Sequence, residues 1–496
     1  MPRDGEAAMF EAVELHKKIP KEEFETAVQE LRSQLLRAQY ALKETRSSVI
    51  VIVSGVEGAN KSEVVNRLNE WLDSRWIRNY AFWDESDEER MRPYQWRFWR
   101  AMPGRGTMAI MFGSWYTRPI VERALDEIDD AALDAEMMHI EQLERMLTDD
   151  GHVIVKFWFH LSKEAEKKRL KGKAKNRLTK LAKKYLKSYD SFAEASARAI
   201  RLTDTGNSPW HLIDAEDKRY AHLKAGRVLL QALNDKLEEA QAPKAPKPKK
   251  TKLPALTKKT VLDSVDLEKT LSDEQYKKQL EKYQLRLSEL CWQAREARRS
   301  VVAMFEGWDA AGKGGAIRRV TGALDARLYS VISVAAPTDE EKARHYLWRF
   351  WRHLPRDGYV TIYDRSWYGR VLVERVEEFC TPDEWMRAYQ EINDFEEHLY
   401  RHGTILSKFW LHISADEQLR RFKEREKTAW KQHKITEEDW RNREKWGAYV
   451  AAIDEMVART STSFAPWTLV PGNDKKVARV TIVKTLCDRI EKSLKA

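Results

Sequence analysis

The strongest constraint on this chain is that it contains itself twice. Arg92–Arg100 reads RPYQWRFWR and Arg344–Arg352 reads RHYLWRFWR, identical at seven of nine positions and 252 residues apart. The same separation pairs SWYTRPIVER (114–123) with SWYGRVLVER (366–375), and KFWFHLS (156–162) with KFWLHIS (408–414). Further on it becomes 257, matching Pro209-Trp210 with Pro466-Trp467, so the second copy carries five extra residues in between. A period this long lies far above that of solenoid repeats, and each copy should own a core. The 496 residues are therefore expected to form two large domains, 1–239 and 260–496. Between them, 240–259 reads AQAPKAPKPKKTKLPALTKK, with four Pro, seven Lys and no acid. Such a stretch resists helix and packed core alike and is expected to be an extended linker.

Lys and Arg total 88 against 78 Asp and Glu, a net charge of +10. The excess invites a partner rich in negative charge: nucleic acid, anionic lipid, nucleotide or an inorganic phosphate polymer. Its placement is uneven. The linker contributes +7, and 163–187, with twelve basic residues and two acids, contributes +10, so everything else nets −7. That basic segment is either a docking surface for a long polyanion or a merely solvated helical face. No aromatic-basic RNA motif or helix-turn-helix signature is present, and nucleic acid is not expected as a partner. Neither is a membrane. No apolar run reaches about 18 residues and the first residues lack a signal-peptide core, so a cytoplasmic location is expected. Cys291, Cys380 and Cys487 are odd in number and without metal-like spacing, and read as buried or incidental thiols.

Each copy opens with an amphipathic stretch (21–45 and 273–297) followed by a β-branched run, VIVIV at 49–53 and VVAMF at 301–305. Val153–Val155 and Thr404–Leu406 read as later central strands. Buried runs alternating with helical stretches predict an α/β fold with a parallel sheet. The charged helical parts, 163–205 and 415–462, read as lids at one edge of each sheet.

After the strand at 301–305 comes Glu306-Gly-Trp-Asp-Ala-Ala-Gly-Lys-Gly-Gly315, then the helix-like AIRRVTGAL. Gly307, four residues, Gly312 and Lys313 give a phosphate-cradling P-loop in the strand-then-helix setting it requires. The backbone of Gly307, Ala310, Ala311, Gly312, Gly314 and Gly315 would turn its N–H groups on phosphate, and Lys313 would add a point charge. The usual hydroxyl after the lysine is missing, because residue 314 is glycine. Carboxylates must then hold Mg²⁺, and two are suitably placed: Asp309 inside the loop and Asp364 at the end of the apolar run 359–363. Arg365 and Arg370 follow, with Glu374 and Arg375 one turn on if SWYGRVLVERV starts a helix. Arginines beside a metal acid suit phosphoryl transfer, although Arg370 and Glu374 could equally form an i, i+4 ion pair. The aromatics around Arg349 and Arg352 read as core in preference to base-stacking. Arg420, Arg421, Lys423, Arg425, Lys427, Lys431 and Lys434 are lid cations that either close on a polyanion or stay solvated.

The first copy departs where chemistry matters. Asp309 is matched by Glu57, Gly312 by Asn60, Asp364 by Phe112 and Arg365 by Gly113, while Lys61 and Ser62 remain. Asn tolerates left-handed angles, so the loop is expected to keep its shape. Phenylalanine cannot ligate Mg²⁺, so only the second copy is expected to be catalytic.

At GWDAAGKGGAIRRV, APTDEEK, LWRFWRHLP, YDRSWYGRVLVERV and KFWLHIS the second copy resembles the polyphosphate kinase 2 family. The likeness implies a thymidylate-kinase-like P-loop fold, Mg²⁺ dependence and inorganic polyphosphate as donor. It assigns the family's loop lysine, loop acid, strand-end acid and following arginine to Lys313, Asp309, Asp364 and Arg365. Two fused copies with a degenerate first half resemble the subgroup that converts AMP to ADP. The rivals are a polyphosphate kinase preferring ADP, an ATP-dependent nucleotide kinase, a basic nucleic-acid-binding NTPase, and a polyphosphate- or nucleic-acid-binding scaffold in which neither copy reacts. Two similar domains in one chain can imitate a dimer, so the copies are expected to pair as a pseudo-dimer, with homo-oligomerisation left open.

Overall fold

The computed structural model describes residues 9–170, 188–242, 259–428 and 435–495. The segment 243–258, most of the linker, lies outside the described residues, as do 171–187 of the first lid and Lys431 and Lys434 of the second.

Each repeat builds one five-stranded, wholly parallel sheet. In the first, β1 (Ser48–Gly55), β2 (Ile77–Ala81), β3 (Met108–Phe112), β4 (His152–His160) and β5 (Trp210–Asp214) run in the order β2-β3-β1-β4-β5. In the second, β6 (Val301–Gly307), β7 (Tyr329–Ser333), β8 (Val360–Asp364), β9 (Ile405–His412) and β10 (Trp467–Pro471) give the equivalent order β7-β8-β6-β9-β10. The central strands are almost completely buried: Val49 to Val53 and Val301 to Phe305 are at most 2% exposed. This is the burial expected of parallel strands covered by helices on both faces.

The opening helices are Lys21–Leu42 and Asp273–Glu296, the second started by a Ser272–Gln275 capping box. The lid helices are Lys163–Arg169 and Tyr189–Thr203 in the first repeat, and Ala415–Lys427, Glu437–Glu444 and Trp446–Thr460 in the second. Trp348, Phe350 and Trp351 are buried, so the LWRFWR aromatics are core. The expected helix over SWYGRVLVERV is instead a 3₁₀ turn, Trp367–Arg370, and a separate short helix, Val373–Val376, broken at Leu372 with φ −108° and ψ −99°.

Two compact units are distinguished by contacts: Met1–Glu85, Arg97–Pro246 and Asp339–His345, and Ser86–Trp96, Lys247–Thr338 and Tyr346–Ala496. Among the described residues no helix is long and apolar enough to cross a membrane.

Each sheet also encloses a buried ion pair that the sequence does not announce. Lys408 Nζ donates to Glu396 Oε2 at 2.7 Å, to Tyr368 OH at 2.8 Å and to the Thr460 carbonyl at 2.6 Å. Tyr368 OH and Trp367 Nε1 in turn donate to Glu396 Oε1. Lys156, Glu144, Tyr116, Trp115 and Thr203 repeat the arrangement in the first unit. The lysine of each KFW motif is thus a core residue, pinning its sheet to the helix behind it.

Candidate active site

Strand register brings the predicted residues together. Phe305 on β6 pairs with Asp364 on β8, and Gly307 on β6 pairs with Leu411 on β9. The loop after Gly307 therefore leaves the C-terminal edge of the sheet where the chain crosses from one side to the other, the usual ligand crevice of such sheets. Gly307 has φ +152°, and a Cβ there would lie 2.6 Å from the Leu411 carbonyl oxygen, so the neighbouring strand's backbone excludes every other residue. Ala310 (φ +63°) and Gly312 (φ +107°) complete the turn into helix Lys313–Thr321.

Asp309, Ala310, Ala311, Gly312, Lys313, Gly314, Gly315, Asp364 and Arg365 all line one cavity of about 510 Å³. Lys313 Nζ donates to the loop carbonyls of Gly307 at 2.7 Å and Trp308 at 3.4 Å, curled within its own loop. Arg365 Nη2 lies 3.4 Å from Asp309 Oδ1. Burial works against its charge, but Asp309, Glu306, Glu438 and Asp364 outweigh it and hold the guanidinium pKa up. Its backbone is left-handed at φ +64°, costing about 1–2 kcal/mol in a non-glycine residue. Gly113, the matching residue, adopts φ +79° without that cost. The second unit therefore keeps a strained arginine where the first keeps the turn alone. Asp309 and Asp364, two hard oxygen donors at one wall of the cavity, fit Mg²⁺, which commonly takes one or two carboxylates with phosphate oxygens and waters.

Other expected residues stand elsewhere. Arg370, expected to neutralise the transferring group, pairs with Glu374 at 3.2 Å and lies over the Tyr346 ring; neither it nor Glu374 lines this cavity. Arg375 is buried, donates to Tyr389 OH and Glu455 Oε2 at 2.6 and 2.7 Å, stacks on Trp385, and does not line this cavity.

Four functional residues were not singled out from sequence. Arg318, Lys475 and Arg479 line the cavity beside Arg425, supplying cations around the loop. Burial, then the Arg421 guanidinium, lowers the Lys475 pKa. Glu306 is buried under the loop, accepts from Ser366 Oγ at 2.8 Å, and is pushed up by burial against the pull of Ser366, Lys313 and Arg365. Its counterpart is Ser54, so a carboxylate disappears from the first unit there too.

Arg421, grouped with solvated lid cations in the sequence, is the loop's main clamp. Nη1 donates to the carbonyls of Ala310 and Ala311, both at 3.0 Å, and Nη2 to those of Gly472 and Asn473 at 2.7 and 2.9 Å. Arg169, its partner at the 252-residue offset, donates to Gly58, Ala215 and Glu216 carbonyls at 2.9, 2.8 and 2.5 Å. Pairing the repeats position by position exposes this conserved pair.

The first unit retains the loop's form and a loop carboxylate, Glu57, but not the strand-end acid. Asn60 has φ +57°, and Lys61 Nζ donates to Gly55 and Val56 carbonyls at 2.5 and 3.1 Å. At the strand-end position, Phe112 packs edge-on to Trp83.

A central parallel strand running through a glycine-bounded loop into a helix-opening lysine, with two acids and an arginine on one cavity, defines a P-loop phosphotransferase. The polyphosphate kinase 2 family model matches residues 18–241 and again 270–496, once per sheet, and the chain belongs to that family. It is 49% identical to a polyphosphate:AMP phosphotransferase of Pseudomonas aeruginosa, over 98% of this chain and 99% of the relative. It is also 37% identical to a polyphosphate:AMP phosphotransferase of Acinetobacter johnsonii, covering 93% and 96%. A crystal structure of a polyphosphate kinase 2 from Pseudomonas aeruginosa PA01 superposes with a TM-score of 0.88 at 48% identity, over 98% of this chain and 99% of that one.

Proposed function

We propose that the second unit transfers the terminal phosphoryl group of inorganic polyphosphate to AMP, giving ADP, in a Mg²⁺-dependent reaction. The carrying observation is the single cavity that Asp309, Lys313, Asp364 and Arg365 share with further cations along its wall. The AMP acceptor is supported by the relatives' activity.

The loop N–H groups and Lys313 hold the donor phosphates, Lys313 exchanging its carbonyl partners for phosphate oxygens. Arg365 leaves Asp309 for the moving group, and Arg318, Arg425, Lys475 and Arg479 receive the rest of the polyanion. Mg²⁺ on Asp309 and Asp364 would supply charge screening between the phosphates. An α-phosphate oxygen of AMP forms the new P–O bond as the bridging P–O bond of the polymer breaks, and the electron pair leaves on the shortened chain. The nucleophile is already anionic, so no strong general base is required. The first unit, with Phe112 and Gly113 where the second has Asp364 and Arg365, does not catalyse transfer.

The test is nucleotide formation by the purified chain with Mg²⁺ and three mixtures: polyphosphate with AMP, polyphosphate with ADP, and ATP with AMP. ADP from the first mixture is expected. Turnover confined to the second would move the acceptor to ADP, and turnover confined to the third would overturn polyphosphate as donor.

A further inference from the structure

Asp309 is held from the lid. Its Oδ2 accepts from Asn442 Nδ2 at 2.9 Å, and its backbone carbonyl accepts from Gln418 Nε2 at 3.2 Å. Asn442 sits in helix Glu437–Glu444, and its Oδ1 accepts from Tyr449 OH at 3.2 Å, which fixes the amide end that faces Asp309. One residue before Asp309, Trp308 stacks on Trp446 with ring centroids 3.6 Å and planes 6° apart. The same lid segment is anchored by Arg441 and Lys445 to Glu377 at 3.0 and 2.8 Å. Helix Glu437–Glu444 and the start of the next helix thus meet the loop through a directed hydrogen bond to the Asp309 carboxylate and a ring stack beside it, in addition to the backbone contacts made by Gln418 and Arg421.

The first unit has changed this set together. Val56, Glu57, Glu166, Tyr189 and Phe192 stand where the second unit has Trp308, Asp309, Gln418, Trp446 and Tyr449. Phe192 has no hydroxyl with which to orient an amide. The first unit thus lacks the tryptophans, the glutamine and the tyrosine hydroxyl that surround Asp309 in the second.

A donor on one oxygen of a ligating carboxylate fixes its plane and leaves the other oxygen for the metal, and loss of such outer partners typically weakens metal binding about 10–100-fold. Asp309 fits this pattern: Asn442 occupies Oδ2, while Oδ1 carries only the long Arg365 contact. We infer that Asn442 is the positioning residue for Asp309, so that docking of the lid completes the metal site. This rests on Asp309 being a metal ligand in the reaction described above.

The test uses the full chain and Mn²⁺ alone, with free Mn²⁺ followed by electron paramagnetic resonance. Asn442→Ala should weaken Mn²⁺ binding about tenfold or more, and Tyr449→Phe should weaken it less but in the same direction. Both should keep the near-ultraviolet circular dichroism of the stacked tryptophans. Trp446→Phe reduces the stack to a single benzene ring and keeps the amide, and should bind Mn²⁺ within about twofold of the parent on the same reasoning. Unchanged Mn²⁺ binding in Asn442→Ala would overturn the inference. So would an equal loss in Trp446→Phe, or loss of the tryptophan signal in Asn442→Ala, because lid docking as a whole would then be responsible. Asp309→Ala separates the two levels: if it binds Mn²⁺ normally, the metal assignment itself fails, whereas weak binding there with normal binding in Asn442→Ala sinks only the positioning role of Asn442.

Discussion

Removing the loop clamp should have different consequences in the two units. Arg421→Ala takes away the donor to four carbonyls, those of Ala310, Ala311, Gly472 and Asn473. At about 0.5–1.5 kcal/mol net per hydrogen bond, the loss is about 2–6 kcal/mol. Arg169→Ala removes donors from three carbonyls and should cost about 1.5–4.5 kcal/mol on the same basis. Denaturant unfolding, followed by far-ultraviolet circular dichroism, reads both losses. Activity measured where each variant remains folded should separate them. In Arg421→Ala the loop that presents Lys313 and Asp309 is released, so kcat should fall by at least about tenfold, a barrier change of about 1.4 kcal/mol. In Arg169→Ala the released loop belongs to the unit with Phe112 at the acid position, and kcat should stay within about twofold on the same scale. Equal activity losses in the two folded variants would refute the division of labour.

Other outcomes follow from single contacts. Gly307→Ala should prevent folding of the second unit, because its Cβ would sit 2.6 Å from the Leu411 carbonyl; Gly314→Ala meets open space and should raise thermal stability by about 0.4–1 kcal/mol. Lys408→Met strands Glu396 in the core and should cost about 3–5 kcal/mol in denaturant unfolding, with part of the loss recovered in the Lys408→Met, Glu396→Gln double variant. Burial and then the Glu57 carboxylate push Glu166 up to about 7. A raised carboxyl binds its proton in the fold after the unfolded chain has lost it, so this site costs stability as pH rises from about 4.5 towards 7. Glu166→Gln, which installs the second unit's residue, should therefore gain up to about 3 kcal/mol at pH 8 and nothing at pH 4, read from unfolding curves at both. A pH-independent gain would contradict the shift.

The parts of this molecule that sequence exposes are those whose chemistry restricts the residue. Asp309, Lys313, Asp364 and Arg365 were legible because phosphate and metal demand those types in a strand-loop-helix setting, and register then placed them on one cavity. The apolar central strands were legible because both faces are buried. The edge strands β2 and β7, IRNYA and YSVIS, were not, because their side chains are mostly exposed and carry little apolar signal. Arg421 looks like one more lid cation in a charged stretch, yet backbone carbonyls bury it, and Arg375, read beside the metal acid, is buried against Trp385. Arg370 is close to Asp364 in sequence, yet its guanidinium is taken up by Glu374 and the Tyr346 ring. Asn442 carries no sequence signal at all. Its meaning comes from Asp309, 133 residues away in the chain, with Tyr449 orienting the amide.

Transfer from polyphosphate to AMP on the second unit is read in ADP formation from those two substrates with Mg²⁺ in Asp364→Ala and Lys61→Ala. Asp364→Ala should lose turnover while Lys61→Ala retains most of it; an active Asp364→Ala beside an inactive Lys61→Ala would place the chemistry in the first unit.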